Sequence, residues 1–409
     1  MTETRARTQI SSRSSARQYS DRARSPLQTY ELVRPYFDQF GITRVADQTA
    51  LDRLGVPVFA AIRPNALSLS MSQGKGITDD DARISAVMEA IEVAIAEAPL
   101  CDIQSGFAGE LRERPADVSY LMPPADSRTG ERSSTAGNDL WVGASSFFTG
   151  DPFLIPLDAV CMRGRALRLK GISQNTNGLA SGNSYEEAGF HAICELIERD
   201  ALTFWSATPT PAKMTRRVDP ACLDDQVVTE LCAAMMQSGL DVALFDLTQD
   251  IGVASFAAYV GPADSNLARH SEFATGSGTH PDPARAAIRA LTEAAQSRVT
   301  LIASARDDIS AAVFKKDALR DVKALLAAPI GHSRFTAGQN PPETIQDLRK
   351  YLRDALNAAE VGDIHVARLD SREMPFAVVK AFAPRLESHG VNPNWLPGGR
   401  LKRRTGIAA

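Results

Sequence analysis

Three segments of the chain share one pattern: each has a glycine-containing loop, then a predicted helix with acidic residues at a fixed step. The helix-capping residue and the first acid are 11 positions apart in all three segments: Thr78 and Glu89, Ser184 and Glu195, and Asp282 and Glu293. A second acid or amide follows three positions later, on the same helical face: Glu92, Glu198 and Gln296. Three unrelated surface helices have no reason to repeat this step, so the pattern indicates a fold that builds one site between them.

The acidic pairs indicate the chemistry of that site. For a single helix, a solvated face with Glu–Arg pairs is the simpler interpretation, but two matched E-x-x-E pairs favour Mg²⁺, which takes oxygen ligands and shares them with phosphates. Glycine loops let backbone N–H groups approach phosphate oxygens, and Lys75 and Arg199 add positive charge. The residues therefore predict a Mg²⁺–nucleotide site. The sequence has no G-x-x-x-x-G-K-[ST], H-R-D or D-F-G motif, which excludes a P-loop and a protein-kinase site.

The same residues carry a family resemblance. The motif S-x-x-x-E-x-x-E at Ser85–Glu92, the stretch from "SGN" to "ERD" at 181–200, and R-A-x-x-E-x-x-Q-S-R at 289–298 resemble the YcaO family. The resemblance extends from about residue 22 to residue 385. The stretch 40–76 is similar to the branch of YcaO proteins encoded beside a TfuA protein.

The resemblance implies an activity. YcaO proteins use ATP and Mg²⁺ to phosphorylate the oxygen of a peptide backbone amide, after which a nucleophile adds to the carbon and phosphate leaves. The TfuA-associated branch is linked to thioamide formation in ribosomally synthesised peptides. The implied enzyme is therefore a thioamide-forming, ATP-dependent peptide-modifying protein. An azoline-forming cyclodehydratase and a non-catalytic nucleotide-binding scaffold remain alternatives.

The resemblance also implies roles for individual residues. The implied Mg²⁺ ligands are Glu89, Glu92, Glu195 and Glu198. The implied ATP contacts are Lys75, Ser85, Asn183, Glu187 and Arg199. In the third helix, ideal geometry points Arg289 and Gln296 to the same side as Glu293 and turns Arg298 away, so we add Arg289 and Gln296 to the ATP contacts. Arg22 or Arg24 is a further candidate to reach phosphate.

The chain departs from the family pattern in three places. Val93 stands where many members have Arg, and His191 stands where Ser often precedes the second acidic pair. The stretch after residue 390 holds no P-x-P-x-P, the ending typical of azoline-forming members, which favours thioamide chemistry. No general base can be assigned. His191 is the candidate on the acidic face, but a structural hydrogen bond is the favoured interpretation of that residue.

Composition narrows the class of protein. With 45 basic and 49 acidic residues the net charge is −4, which argues against a nucleic-acid-binding protein. No apolar run is long enough to span a bilayer, and no signal peptide is evident. Five scattered cysteines without C-x-x-C predict reduced thiols in a cytoplasmic protein. The expected partners are a peptide or protein substrate and a TfuA-like protein, and the oligomeric state stays open, with a homodimer as one option.

The fold class predicted is α+β, with one large YcaO-like domain of mainly antiparallel sheets packed against the motif helices. Segments 241–260 and 363–384 each predict two strands joined by a turn, and "TGDP" predicts a hairpin between 140–148 and 153–162. We expect a disordered basic leader at 1–21, the domain at 22–390 and a flexible tail at 391–409.

Overall fold

The computed structural model describes residues 21–107, 111–124, 139–162, 169–264, 272–304, 319–331 and 342–405. Helices pack against three sheets, which confirms the predicted α+β class. The strands are β1 (Arg44–Asp47), β2 (Val58–Ile62), β3 (Met71–Lys75), β4 (Ile103–Gly106), β5 (Arg114–Pro115), β6 (Asp139–Ser146), β7 (Pro152–Pro156), β8 (Leu179–Gly182), β9 (Arg217–Val218), β10 (Leu240–Asp246), β11 (Ser255–Pro262), β12 (Ala274–Thr279), β13 (His365–Arg368) and β14 (Ala377–Phe382). The helices are α1 (Pro26–Val33), α2 (Asp79–Glu97), α3 (Leu157–Val160), α4 (Tyr185–Ala207), α5 (Thr210–Met214), α6 (Gln226–Gln237), α7 (Pro283–Ala303), α8 (Leu319–Leu326), α9 (Ile345–Ala358) and α10 (Gly399–Thr405).

The sheets are antiparallel apart from one parallel pair among the described strands, β5 with β7. The first has the order β1-β2-β3, and the second has the order β12-β11-β10-β9. The third has the order β5-β7-β6-β13-β14-β8, with β4 paired to β6. The predicted hairpin β6–β7 and the predicted pairs β10–β11 and β13–β14 are all present.

Each of the three motif helices directly follows an edge strand of a different sheet. Helix α2 follows β3, α4 follows β8, and α7 follows β12. The predicted caps are confirmed, because the side chains of Thr78, Ser184 and Asp282 each accept a hydrogen bond from a backbone N–H of the first turn. The fold therefore contains three strand–loop–helix units of similar construction.

Glycine in the edge strands lets each helix lie directly on the strand before it. A Cβ added at Gly74 would lie 2.0 Å from the backbone nitrogen of Ala86, and one at Gly278 would lie 2.3 Å from the carbonyl oxygen of Ala286. On the helix side, small alanine side chains such as Ala86 and Ala286 are fully buried, which also allows helix and strand to approach closely. The close packing fixes each acidic face relative to its own sheet.

The opposite face of each motif helix is buried in a core. Ile91 of α2, Ile193 of α4 and Leu291 of α7 are each 0% exposed. They belong to three different clusters of buried apolar side chains. Burial of such side chains stabilises the fold by about 1.5–3 kcal/mol each.

None of the described helices combines the length and the apolar character that crossing a membrane requires.

The C-terminal segment, expected to be a flexible tail, packs onto the domain as far as Thr405. The guanidinium of Arg400 donates to the carboxylate of Asp200 at 2.6 Å, and the two side chains are 6% and 1% exposed. The indole of Trp395 donates to Glu387 at 2.8 Å. Because detachment would leave Asp200 buried without its cation, the expectation of flexibility is wrong for this segment. The last four residues of the chain lie outside the described residues.

Candidate functional site

One cavity of about 1090 Å³ lies between the three motif helices. Every residue predicted to bind ATP or Mg²⁺ lines it: Lys75, Ser85, Glu89, Glu92, Asn183, Glu187, Glu195, Glu198, Arg199, Arg289 and Gln296. The fold thus brings together residues that the sequence distributes over three distant segments. Their individual roles toward nucleotide and metal stay predictions.

The acidic pair of α2 faces the edge strand of the next unit. The hydroxyl of Ser181, on β8, donates a hydrogen bond of 2.6 Å to Glu92. Burial raises the pKa of Glu92 to about 8, although the Ser181 bond lowers it, and repulsion from Glu89 and Glu195 adds to the rise. The two E-x-x-E pairs are therefore close enough to feel each other's charge.

The acidic pair of α4 is held by a hydroxyl of the second sheet and by its own arginine. Ser277, on β12, donates a hydrogen bond of 2.7 Å to Glu198. Arg199 lies 3.7 Å from Glu198 and 3.9 Å from Glu195. Burial raises the pKa of Glu195 to about 7 even though Arg199 lowers it. One arginine thus does not compensate both carboxylates.

The third helix contributes a mixed face to the cavity. The ammonium of Lys75, on β3, lies 2.8 Å from the carboxylate of Glu293, and the Lys75 charge, together with Arg199, holds the pKa of Glu293 below its usual value despite burial. Gln296 donates to the carbonyl oxygen of Gln73 at 3.0 Å. Glu293 was part of the repeated sequence pattern but was not assigned a role, and the structure places it beside the assigned residues.

Arg289 and Arg298 of α7 separate as the helical geometry predicted. Arg289 lines the cavity. Arg298 instead donates to the buried carboxylate of Asp52 at 2.8 Å, with both side chains about 5% exposed or less. Arg298 is therefore a structural residue, whereas Arg289 faces the cavity.

The three units contact each other in a closed ring. A side chain of β8 bonds to α2, a side chain of β12 bonds to α4, and β3 bonds to α7. Each helix therefore has its acidic or amide residue held by the edge strand of another unit. Ser181 belongs to the recognised "SGN" stretch, whereas no sequence signal identified Ser277.

A short N-terminal strap, residues 21–24, lies along the rim of the cavity. Arg22 donates at 2.8 Å to the carboxylate of Glu187, and the backbone N–H of Ala23 donates to the same carboxylate at 3.0 Å. Arg24 donates to Asn183 at 3.4 Å. Two predicted nucleotide contacts, Asn183 and Glu187, are therefore engaged by the strap.

The strap is anchored by a residue that we assigned to a disordered leader. The carboxylate of Asp21 lies 2.8 Å from Nε2 of His280, also contacts Arg285, and is 5% exposed. The expectation of disorder is thus wrong for Asp21, because its charge is buried between two partners. Residues 1–20 lie outside the described residues. His280 lies two residues before Asp282, the cap of α7.

His191 lies in the cavity wall without the structural hydrogen bond that we favoured for it. It is 8% exposed and lines the cavity. Within the part of the chain that the structure describes, neither ring nitrogen has a hydrogen-bond partner. The structural hydrogen bond is therefore not observed among the described residues.

The residues of the cavity fit a hard divalent cation bound together with an anionic ligand. Glu92 and Glu195 have raised pKa values because nearby cations of the chain do not fully offset their buried charge. Among the described residues, no group of three or more His, Cys, Asp or Glu side chains is placed to hold a metal ion by itself. Mg²⁺ commonly takes one or two carboxylates and completes its shell with phosphate and water, which matches pairs of carboxylates on facing helices.

The fold and the cavity define a class of proteins in which three strand–helix units surround one pocket. Both acidic and basic side chains line that pocket. The chain belongs to the YcaO family: the sequence model of that family, described as YcaO cyclodehydratase, ATP- and Mg²⁺-binding, matches residues 73–387. ATP and Mg²⁺ are thus the ligands of the family to which this chain belongs.

Two relatives match most of this chain. The chain is 37% identical over 382 residues to a protein of Rhizobium leguminosarum bv. trifolii described as an uncharacterized protein in the tfuA 3′ region, with 90% of this chain and 89% of the relative covered. It is 33% identical over 395 residues to an uncharacterized protein of Methanothermobacter thermautotrophicus, covering 90% of this chain and 95% of the relative.

Two solved structures share the fold. YcaO from Methanopyrus kandleri bound with AMPPCP and Mg²⁺ superposes with a TM-score of 0.68 at 22% identity, over 90% of this chain and 92% of that one. A heterocyclase in complex with substrate and cofactor gives a TM-score of 0.71 at 20% identity. That match covers 90% of this chain and 53% of the heterocyclase, so this chain spans about half of that protein's length.

Proposed function

We propose that this protein phosphorylates a backbone amide oxygen of a peptide with ATP and Mg²⁺, so that sulfide can replace the oxygen and form a thioamide. The observation that carries the proposal is the meeting of both E-x-x-E pairs with Arg199 and Arg289 in one cavity. Phosphoryl transfer requires positioning and charge neutralisation more than a covalent residue, and this cavity offers both.

The proposed reaction balances without a redox step. The amide oxygen attacks the γ-phosphorus and ADP leaves. Sulfide then adds to the amide carbon, and the original oxygen departs as part of inorganic phosphate. A proton is lost from the nitrogen or the incoming sulfide, and the residue that accepts it is unassigned.

The residues of the chain have separable tasks in this proposal. Glu89, Glu92, Glu195 and Glu198 hold Mg²⁺, which when bound neutralises charge that develops on the transferred phosphoryl group. Arg199 and Arg289 neutralise the remaining phosphate charge. Lys75 holds Glu293 at the border of the site, and Ser181 and Ser277 fix the orientation of one carboxylate in each acidic pair.

Two observations support thioamide formation over azoline formation. The relative from Rhizobium is described by its position in a tfuA region, which favours a TfuA-like partner and an external sulfur nucleophile. The second observation concerns the C-terminal segment, which lacks the P-x-P-x-P typical of azoline-forming members. Among the described residues, none between 383 and 405 lines the cavity, and the segment is instead anchored on Asp200. The likeness to a heterocyclase fold keeps azoline formation as the second candidate.

Mass spectrometry of the product tests the proposal. The protein is incubated with ATP, Mg²⁺, sulfide, the TfuA-like partner and a short peptide encoded beside its gene. Exchange of oxygen for sulfur adds about 16 Da, whereas cyclodehydration removes about 18 Da, and both reactions share the phosphoryl step. A loss of water at Cys, Ser or Thr without sulfide would establish the second candidate, and nucleotide binding without any ATP hydrolysis would indicate a scaffold.

A further inference from the structure

The imidazole of His191 is a buried polar group whose hydrogen-bond partner is missing from the described chain. Its exposure is 8%, it lines the cavity, and neither ring nitrogen is bonded within the described residues. Buried polar groups almost always have a partner, because an unmade hydrogen bond is costly away from water. A side chain of this kind that faces a ligand cavity points to a partner on the ligand.

The position of the ring is fixed by its neighbours. His191 is on α4, one turn after Glu187 and one turn before Glu195. The ring of Phe190 meets it edge-to-face with centroids 5.1 Å apart, and the same Phe190 ring meets His280 at 5.6 Å. The imidazole therefore packs edge-to-face on Phe190 where it lines the cavity.

The charges around His191 are positive. Burial lowers the pKa of His191 well below its usual value, and the charges of Arg22, Arg289 and His280 lower it further. Arg22, Arg285 and Arg289 all line the same cavity. The charges that act on the ring in this way are therefore positive, although Arg22 is itself paired with Glu187.

A neutral imidazole in a group of cations has a restricted chemistry. It is a weak base, because protonation would add a fourth positive group to a buried site, so His191 is unsuited to be the general base of the reaction. It keeps one N–H donor and one acceptor nitrogen. The N–H can donate a hydrogen bond to an anionic oxygen. The neighbouring arginines can pair with the other oxygens of a phosphate chain.

We propose that His191 binds the nucleotide by donating a hydrogen bond to an oxygen of its β- or γ-phosphate. The inference rests on the proposed function for the identity of the ligand, and it adds a contact that the acidic and arginine motifs did not include. His191 is then a determinant of phosphate number: it contributes to the binding of a triphosphate or diphosphate and little to that of a monophosphate.

Calorimetric titration of the full-length protein with three probes tests this contact. The probes are a non-hydrolysable ATP analogue, ADP and AMP, each with Mg²⁺. For His191→Phe, which removes both nitrogens and keeps an aromatic ring, we expect the Kd of the ATP analogue to rise about tenfold or more, as for loss of a hydrogen bond to a charged group. The Kd of AMP should change by less than about threefold.

Two further variants separate binding from folding. His191→Asn keeps a donor and should retain most of the affinity for the ATP analogue, even if the Phe variant is unstable. His365→Phe is the matched control, because His365 is also 8% exposed with both nitrogens unbonded in the described chain but does not line the cavity. The affinity of His365→Phe for all three probes should equal that of the unmodified protein.

The outcomes separate the contact from the proposed function. A loss that grows with phosphate number in His191→Phe, with rescue by Asn, supports the contact. An equal loss for all three probes, or no loss, overturns it while the proposed function stands. Failure of the unmodified protein to bind any of the probes overturns the proposed function itself, and the His191 contact with it.

Discussion

Ser277 of β12 donates a hydrogen bond of 2.7 Å to Glu198 of α4, a residue 79 positions earlier in the chain. Ser181 of β8 makes the equivalent bond to Glu92 of α2, 89 positions away, at 2.6 Å. In both cases the second carboxylate of an E-x-x-E pair is oriented by a hydroxyl from another unit. The geometry of the acidic site therefore depends on the assembly of the three units.

Removal of the Ser277 hydroxyl should weaken the metal site without unfolding the protein. We expect Ser277→Ala to raise the Mg²⁺ concentration for half-maximal ATP turnover by about tenfold or more, because residues that orient metal ligands commonly carry such effects. Ser206→Ala is the control, since its exposed hydroxyl bonds back to Thr203 on α4. An unchanged Mg²⁺ dependence in Ser277→Ala would show that the bond is only structural.

Neutralisation of Glu195 should abolish turnover. Glu195→Gln removes a carboxylate that lines the cavity, and we expect kcat for ATP hydrolysis to fall by about 100-fold or more, as for loss of a group that stabilises transition-state charge. Glu186→Gln on the same helix, exposed and outside the cavity, should have normal turnover. If Glu195→Gln retains activity as Glu186→Gln does, Glu195 is not a metal ligand.

The raised pKa of Glu92 predicts how stability depends on pH when Mg²⁺ is removed with a chelator. Its folded pKa of about 8 exceeds the ordinary value of 4.5, so the folded state holds the proton more tightly. The stabilisation is fully present below pH 4.5 and is lost as pH rises through 8. Thermal melts between pH 6 and 9 should show Tm falling with pH, and Glu92→Gln should flatten that fall. An equal slope in the variant would assign the titration to other groups.

Asp21 should act on nucleotide binding through Arg22. It anchors the strap on His280 and Arg285, while Arg22 extends to Glu187 in the cavity. We expect Asp21→Ala and Arg22→Ala each to raise the Kd for ADP, and the double variant to be no more than about twofold weaker than Arg22→Ala, since coupled residues are not additive. Effects that multiply in the double variant would mean that the two residues act independently.

Loss of the Arg400 guanidinium should destabilise the whole domain. Arg400→Leu leaves the buried carboxylate of Asp200 without its cation, and removal of one partner of such a pair typically costs about 3–5 kcal/mol. Urea denaturation should therefore show a lower midpoint for this variant. Arg403→Leu, exposed on the same helix, should unfold like the unmodified protein, and an equal midpoint for both variants would contradict the buried pair.

The local pattern of the motif helices could be predicted because it depends on neighbouring residues. Thr78, Ser184 and Asp282 cap their helices where the sequence indicated, since a cap is a bond to a backbone N–H two or three positions away. The 3.6-residue period then fixes which acids share a face, and it also separated Arg289 from Arg298. Sequence alone therefore determined the helices, their acidic faces and the prediction that these faces share a site.

Only the tertiary structure decided which units meet and what each side chain bonds to. The contacts of Ser277 with Glu198 and of Asp21 with His280 join residues far apart in the chain, and the order of strands in three sheets sets them. The anchoring of Arg400 and the absence of a partner for His191 within the described chain also depend on long-range packing. A local sequence pattern is enough to give the period of a helix. The partner of a side chain depends instead on which elements the folded topology places opposite it.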